Sequence, residues 1–262
     1  FPGVAEPRTG KSMGQSCEDM AKTWQITRED QDQLAFDSHQ KAAAAYAKGF
    51  YDDLVMPFRD MKMDNILRAD TTLEKLATLK PAFDKHSGKG TLTAGNSTNL
   101  SDGASVALLS SEQWATDNNK EIQAYLVDAQ VAAVDFVGGD GLLMAPAWAV
   151  AQLLKRNNLN LQDFDFYEIH EAFAAQVLCT LKAWESEQFC KEKLGMDAAL
   201  GSIDRSKLNV VGSSLALGHP FAATGARIVA TAAKLLKEKG QDRVLISICT
   251  AGGMGVAAIV ER

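Results

Sequence analysis

The stretch Ser214-Leu-Ala-Leu-Gly-His-Pro-Phe-Ala-Ala-Thr-Gly-Ala-Arg227, followed by Cys249-Thr-Ala-Gly-Gly-Met-Gly255, decides the predicted fold. Each part places one side chain capable of proton transfer, His219 or Cys249, beside the end of a predicted strand. Histidine and cysteine side chains both serve as acids and bases in enzymes. The two parts together therefore predict one cleft that holds both side chains.

The segment around His219 has the pattern of a helix start. Pro220 suits the first position of a helix, and the apolar positions that follow recur at helical spacing and stop at Gly240. The positive end of such a helix disfavours an imidazolium, so His219 is predicted to be a neutral base. A structural capping role for this histidine is the alternative.

The segment around Cys249 has the pattern of two strands joined by a glycine-rich turn. Residues 243–249 form an apolar run and 256–261 form its return. Ala251 and Gly252 lie in the turn, where backbone N–H groups can stabilise an oxyanion. A cysteine at this place can also be a buried packing residue. The expected proximity of His219 favours a functional role for Cys249.

His170 lies at a third junction, between a strand predicted over 161–169 and a helix predicted over 170–178. It does not belong to a zinc motif, because the H-E-x-x-H pattern requires histidine at the position of Ala174. No metal site is predicted. Because α/β sheets gather ligands at the carboxyl ends of their strands, the three junctions are expected to form one site.

The remaining pattern predicts an α/β protein. Residues 124–136 are expected to form a strand and 146–155 a helix, and this alternation favours a layered domain with a mixed sheet. Upstream, a helix is predicted from the N-cap Thr27 to Lys48. Residues 104–109 have a strand pattern, and a helix capped by Ser110 or Ser111 follows.

These segments resemble the thiolase family. The blocks that carry the resemblance are His170-Glu-Ala-Phe-Ala, Gly218-His-Pro with Thr224-Gly-Ala-Arg227, and Cys249-Thr-Ala-Gly-Gly-Met-Gly255; Met13-Gly-Gln-Ser-Cys-Glu18 and Thr93-Ala-Gly-Asn-Ser-Thr-Asn-Leu-Ser-Asp-Gly103 extend it. Many thiolases carry Asn where this chain has His170. The histidine and the insertion over 184–204 resemble the branch that forms the β-subunit of the fatty-acid oxidation complex.

The resemblance implies a layered α-β-α fold with a mixed sheet and a mostly helical loop domain. Residues 1–90 would be the loop, or lid, domain, 91–121 the last strand and helix of the N-terminal domain, and 122–262 the C-terminal domain. The N-terminal half of the fold, with its nucleophilic cysteine, is expected to be absent. The other three cysteines, Cys17, Cys179 and Cys190, are expected to be packing residues. The chain alone is therefore expected to be inactive.

The activity that the resemblance implies is a 3-ketoacyl-CoA thiolase, an acetyl-CoA acyltransferase. His219 would take the proton of the nucleophilic thiol. Cys249, as a thiol of near-neutral pKa, would protonate the leaving enolate and later deprotonate CoA. His170 would help to hold the thioester oxygen, and the Thr98 hydroxyl would touch the pantetheine arm. Coenzyme A is expected as a substrate, with no covalently bound cofactor.

Composition limits the partners. The chain has 262 residues and a net charge of −6, which gives no general attraction to nucleic acid. Arg8, Lys11 and Lys41 are candidates for binding the CoA phosphates. Few cysteines and no C-x-x-C pair favour a reducing compartment, the cytoplasm or, in a eukaryote, the mitochondrial matrix.

Thiolase relatives imply a homodimer or dimer of dimers, with an α-subunit of hydratase and dehydrogenase activity as a further partner. Two other functions are open alternatives: a non-catalytic CoA-binding or assembly module, and a ketoacyl synthase of the same superfamily. Ketoacyl synthases use a second histidine where this chain has Cys249, which favours thiolase.

Overall fold

The computed structural model describes residues 5–262, which contain nine α-helices and one four-stranded sheet. The helices are α1 Met13–Thr23, α2 Arg28–Ala47, α3 Leu73–Ala77, α4 Glu112–Asp117, α5 Ala145–Asn157, α6 Ala174–Glu185, α7 Glu187–Glu192, α8 Ser214–Leu217 and α9 Ala222–Lys239. The strands are β1 Tyr125–Ala133, β2 Phe166–Ile169, β3 Arg243–Cys249 and β4 Met254–Glu261.

The sheet is mixed, as predicted. Its strand order is β1-β4-β3-β2, with β2 parallel to β3 and the other two pairs antiparallel. Ile169 pairs with Ser247, so the carboxyl ends of β2 and β3 lie side by side. Gly255 allows β4 to pass close to α5, because a Cβ atom there would lie 2.5 Å from the Pro146 nitrogen. The predicted order of strand, helix and strand after residue 122 is confirmed.

Helices cover both faces of the sheet. Along β3, Leu245 and Cys249 belong to a core shared with α1, α5 and α6, whereas Val244 and Ile246 pack with α9. This alternation follows from the two-residue period of a strand. Two hydrophobic interfaces therefore hold one layer of strands between helices, which gives the α-β-α arrangement.

The predicted helix after Thr27 is confirmed. The Thr27 side chain accepts a hydrogen bond from the backbone N–H of Asp30, and the helix ends with Lys48 as its C-cap. In α1, Ser12 and Gln15 form a capping box, each side chain accepting from the other residue's backbone N–H. Residues 5–90 thus contain two well-capped helices, followed by the short α3.

The strand predicted over 104–109 is wrong. These residues have no regular structure, and Val106 and Leu108 are 88% and 71% exposed. A strand forms only when its backbone groups find a partner, and within residues 5–262 this segment has no strand beside it. The helix cap that follows is confirmed, since Ser111 accepts a hydrogen bond from the backbone N–H of Trp114.

Two predicted helix starts are also wrong. Helix α9 begins at Ala222 rather than Pro220, because the backbone of His219 forms a bridge to Leu100 and keeps that segment extended. Phe221, the N-cap, has a φ of +35°, a strained value for a non-glycine residue. The end of the helix at Gly240, in the left-handed conformation, is as predicted.

Helix α6 begins at Ala174, four residues after His170, and β2 is confined to Phe166–Ile169. Residues 170–173 form a connection that is held by the segment around Asn96: the backbone N–H of Ala174 donates to the carbonyl of Asn96, and Phe173 bridges to Ser97. In the part of the chain that the structure describes, no helix is long and apolar enough to cross a bilayer.

Candidate active site

His170 is held at the end of β2 by backbone hydrogen bonds. Its N–H donates to the carbonyl of Ser247 on β3 at 2.9 Å. The side chain of Asn209 forms hydrogen bonds with both backbone groups of Ile169, the residue before His170. Its Oδ1 accepts from the N–H of Ile169 at 2.8 Å, and its Nδ2 donates to the Ile169 carbonyl at 2.9 Å. Burial, together with the neighbouring His219 and Arg227, lowers the pKa of His170 well below its usual value. The ring is therefore neutral.

Glu171 connects this strand end to helix α2. Its carboxylate accepts hydrogen bonds from the Ser38 hydroxyl at 2.7 Å, from Asn209 Nδ2 at 2.6 Å and from the backbone N–H of Leu215 at 3.2 Å. Helix α2, the loop before α8 and the segment that carries His170 thus share one buried acceptor. Such fully paired networks make a site rigid.

His219 reaches the same place from the loop between α8 and α9. Its backbone N–H donates to the Ser101 hydroxyl at 3.0 Å, and its Nδ1 lies 2.7 Å from Thr224 Oγ1. Burial, then the charge of Arg227, lowers the pKa of His219 to about 4. The prediction of a neutral imidazole is confirmed, although burial and Arg227 cause it rather than a helix end at the histidine.

The two imidazole rings are neighbours. Their centroids lie 4.3 Å apart at an interplanar angle of 48°. His170 Nε2 is buried and has no hydrogen-bond partner within residues 5–262. A ligand oxygen that enters beside His219 would find this nitrogen free. The structure therefore brings together two of the three side chains that the sequence singled out.

Cys249 ends β3 as predicted, at the strand end next to His170. Its side chain is buried in the core on the α5 side, and among the described residues it makes no hydrogen bond to either imidazole. Burial raises the pKa of its thiol to about 12, so the expected near-neutral pKa is wrong. The thiol is a proton donor in this state.

The turn after Cys249 is open to solvent. Ala251 and Gly252 are both exposed, and Gly252 has a φ of +75°. Their backbone N–H groups make no hydrogen bond to the described residues. They are therefore available as the predicted oxyanion donors.

Thr98 lies beside the histidine loop. Its hydroxyl donates to the carbonyl of Ser214 at 2.7 Å, and its backbone N–H donates to the carbonyl of Ala172 at 3.0 Å. The hydroxyl is therefore engaged in the fold, with its oxygen still able to accept a hydrogen bond. The position agrees with a residue at the wall of the site.

The polar contacts behind the two histidines were not predicted from the sequence. Arg227 Nη2 donates to Ser214 Oγ at 2.8 Å, and this oxygen lies 2.8 Å from His170 Nδ1. Glu168 is fully buried on β2, and burial raises the pKa of its carboxyl to about 8 in spite of the opposing charge of Arg227. A signal was present: Glu168 interrupts an apolar strand, and Arg227 occurs among the apolar residues that predict α9.

The three basic residues suggested for CoA phosphates do not cluster. Arg8 stacks 6.0 Å from the centre of the Phe136 ring, Lys11 pairs with Asp19 at 2.6 Å, and Lys41 Nζ donates to the carbonyl of Leu208 at 2.7 Å.

A cavity of about 460 Å³ lies between α2, α6 and the turn near Arg205. Lys41 and Glu171 line it, but neither His170 nor His219 does. Within residues 5–262, no three His, Cys, Asp or Glu side chains converge as metal ligands.

Known proteins resemble this chain over nearly all of its length. The 3-ketoacyl-CoA thiolase of Shewanella baltica strain OS155 is 46% identical over 99% of this chain and 60% of its own length. The enzyme of the same name from Yersinia enterocolitica is 45% identical with the same two coverages. The chain thus spans 60% of the length of the curated relatives that it matches.

A solved structure has the same fold. The crystal structure of the Bacillus anthracis acetyl-CoA acetyltransferase superposes with a TM-score of 0.81 and 37% sequence identity, over 98% of this chain and 62% of that chain. The predicted layered α/β fold with a mixed sheet is therefore confirmed at the level of the family.

Two family models divide the chain between them. The thiolase N-terminal domain matches residues 2–113, and the thiolase C-terminal domain matches residues 120–262. The expectation that the chain is only a C-terminal portion, with the N-terminal half of the fold absent, is therefore not supported, and neither is the inactivity deduced from it. Matches to both domain models show that the chain belongs to the thiolase family.

Proposed function

We propose that the protein is an acetyl-CoA acyltransferase that cleaves a 3-ketoacyl-CoA with a second CoA into acetyl-CoA and a shortened acyl-CoA, or runs the reverse condensation. The observation that carries the proposal is the pair of neutral imidazoles, 4.3 Å apart, beside the strand end that carries Cys249. The relatives named 3-ketoacyl-CoA thiolase support the choice of substrate.

The lowered pKa of His219 keeps its imidazole neutral, so that it can accept the proton of an attacking cysteine thiol. The structure assigns no cysteine to this role, because all four lie buried within residues 5–262 and none of them hydrogen-bonds to His219. The thiolate attacks the 3-keto carbon, and the bond between C2 and C3 breaks as the enolate of acetyl-CoA leaves. His170 Nε2, free and buried, would donate a hydrogen bond to a substrate oxygen at this stage.

Cys249 completes the proton transfers. Its thiol carries a proton at neutral pH because of its raised pKa, so it can protonate the departing enolate. The thiolate that results is strongly basic and takes the proton of the incoming CoA thiol. The CoA thiolate then attacks the acyl-enzyme and releases the shortened acyl-CoA. The N–H groups of Ala251 and Gly252 would stabilise the oxyanions of these steps, and Thr98 would line the pantetheine path.

We also propose the wider setting that the family resemblance implies. Residues 1–90 would serve as the lid, 91–121 as the end of the N-terminal domain and 122–262 as the C-terminal domain. The protein would act as a homodimer or dimer of dimers, with an α-subunit as a further partner. The four cysteines form no disulfide, which supports the cytoplasm as its compartment.

The test measures thiolysis and acyl-enzyme formation on the same preparation. We expect loss of a 3-ketoacyl-CoA that depends on CoA, and a mass gain of one acetyl group after incubation with acetyl-CoA, with peptide mapping to identify the acylated cysteine. His219→Ala should lower turnover by about 10²- to 10⁴-fold, the range for loss of an acid or base. Cys249→Ala should lower turnover by a similar factor yet leave acylation by acetyl-CoA measurable.

Folded protein that binds CoA but shows neither acylation nor thiolysis would contradict the proposal. That result would favour the non-catalytic CoA-binding module. Turnover that requires release of carbon dioxide from a malonyl donor would favour the ketoacyl synthase.

A further inference from the structure

Ser214 stands between a fixed positive charge and His170. Its hydroxyl oxygen lies 2.8 Å from Arg227 Nη2 and 2.8 Å from His170 Nδ1. Ser214 is fully buried, and its hydroxyl has no third partner in the part of the chain that the structure describes. The three groups form an unbranched chain of hydrogen bonds that ends at the ring of His170.

The chemistry of the three groups decides where the proton of each bond lies. A guanidinium has only donors, so Arg227 donates to the Ser214 oxygen. The serine hydroxyl then has one hydrogen left, and His170 Nδ1 is the acceptor within reach. If Nδ1 carried the hydrogen instead, both the serine hydroxyl hydrogen and the Nε2 acceptor would be buried without partners, whereas the Nε2–H form leaves only the Nε2–H for a ligand to pair.

The main chain holds Ser214 where this bond requires it. The carbonyl of Ser214 accepts from the backbone N–H of Gly218 at 2.8 Å and from the Thr98 hydroxyl at 2.7 Å. Burial removes the freedom of the side chain to find another acceptor. The donor is therefore preorganised rather than formed on binding of a ligand.

We infer that Ser214, oriented by Arg227, is a positioning residue that keeps the hydrogen of His170 on Nε2 and so presents a fixed N–H donor to the substrate oxygen. This inference rests on the proposed function for its catalytic consequence, but the tautomer itself is a property of the resting protein. Within residues 5–262, His170 Nε2 is the ring nitrogen without a hydrogen-bond partner, so it is the one left to donate to a substrate oxygen. Loss of Ser214 would turn a single tautomer into a mixture.

The decisive measurement is the tautomer of His170 in the resting protein. Long-range ¹H–¹⁵N correlation spectra distinguish hydrogen on Nδ1 from hydrogen on Nε2 for each of the 4 histidines of the chain. His170→Gln identifies the signal of His170 by its disappearance. We expect the Nε2–H form in the wild-type protein, and the Nδ1–H form in the wild-type protein would overturn the inference whatever the enzyme does.

Substitution then tests the role of the hydroxyl. In Ser214→Ala we expect the Nδ1–H signal of His170 to appear. We also expect kcat for thiolysis to fall about 10- to 100-fold, less than for removal of an oxyanion donor itself, with KM changed by less than about twofold. Ser214→Thr keeps the hydroxyl and should restore the Nε2–H form.

Ser213→Ala is the matched control, because it removes a neighbouring buried hydroxyl whose hydrogen bond goes to the Ile169 carbonyl and not to His170 or Arg227. We expect it to leave the tautomer unchanged. Ser214→Ala that keeps both a pure Nε2–H form and wild-type kcat would overturn the inference. A shifted tautomer in a protein without thiolase activity would uphold the positioning role and contradict only the proposed function.

Discussion

The carboxyl ends of β2 and β3 differ sharply from the outer edge of the sheet at β1. At the first place, Glu171 alone accepts three buried hydrogen bonds that join three segments of the chain. At the second, Val131 is 60% exposed, and within residues 5–262 β1 pairs with β4 alone; in the unpaired segment 104–109, Leu108 is 71% exposed. One region is held by paired polar groups inside the protein, whereas the other presents apolar side chains to solvent.

The difference shows that an apolar sequence pattern does not by itself produce a strand, and that hydrogen bonds between distant polar residues fix the geometry of the histidine site. The apolar runs of β3 and of residues 104–109 look alike in sequence, yet only the first has strands on both sides. Precision at the histidine site comes instead from hydrogen bonds between residues far apart in sequence, such as Ser38 and Glu171. Substitutions in the two regions should therefore change the free energy of unfolding by different amounts.

The largest effect is expected from Glu171→Ala. The change removes the buried acceptor of the Ser38 hydroxyl and of the Leu215 N–H, and one of the two acceptors of Asn209 Nδ2. It should lower the free energy of unfolding by about 2 to 5 kcal/mol. Urea denaturation measures the loss. Glu185→Ala is the matched control, since Glu185 lines the same cavity but is exposed, and it should change the stability by less than about 0.5 kcal/mol. Equal losses in the two variants would contradict the role of Glu171.

A pH-dependent effect of intermediate size is expected at Glu168. Its carboxyl has a pKa of about 8 in the folded protein against the ordinary value of 4.5, so the folded state binds more protons between these limits. The free energy of unfolding therefore falls as pH rises from 4.5 to about 8, by at most about 1.4 kcal/mol per pH unit.

Glu168→Gln removes this dependence, because the amide does not titrate. The variant should gain stability relative to the wild-type protein between pH 5 and pH 8, which thermal unfolding at the two values measures. Glu185→Gln, on the exposed surface, should show no such gain. A variant that loses relative stability toward pH 8 would show instead that an ionised Glu168 pairs favourably with Arg227.

The smallest effect on stability is expected in the exposed segment 104–109. Leu108→Ser should change the free energy of unfolding by less than about 0.5 kcal/mol, because the side chain packs against little. It should reduce self-association, which sedimentation velocity measures, since large exposed apolar patches promote it. The buried Leu235 is the control, where truncation to alanine should cost about 2 to 5 kcal/mol. A comparable cost at Leu108 would mean that this segment is covered in solution.

By itself the sequence determined the local elements and the type of site. Thr27, Ser111 and Gly240 mark helix ends through their own backbone and side-chain chemistry, so these ends are readable from single residues. The alternation of strands and helices after residue 122 and the strand ends that carry Cys249 and His170 are readable for the same reason.

Only the tertiary structure decided how these parts act on one another. Residues 104–109 remain irregular because a strand depends on a neighbour that no local pattern specifies. Burial moved the pKa of Cys249 far above neutrality, and the distance between the two imidazoles is set by loops that meet across the fold. The contact of Ser214 with both His170 and Arg227 likewise joins three separate segments. Helix ends depend on residues that are neighbours in sequence, whereas the burial of a side chain and its long-range hydrogen bonds depend on the segments that the fold brings around it.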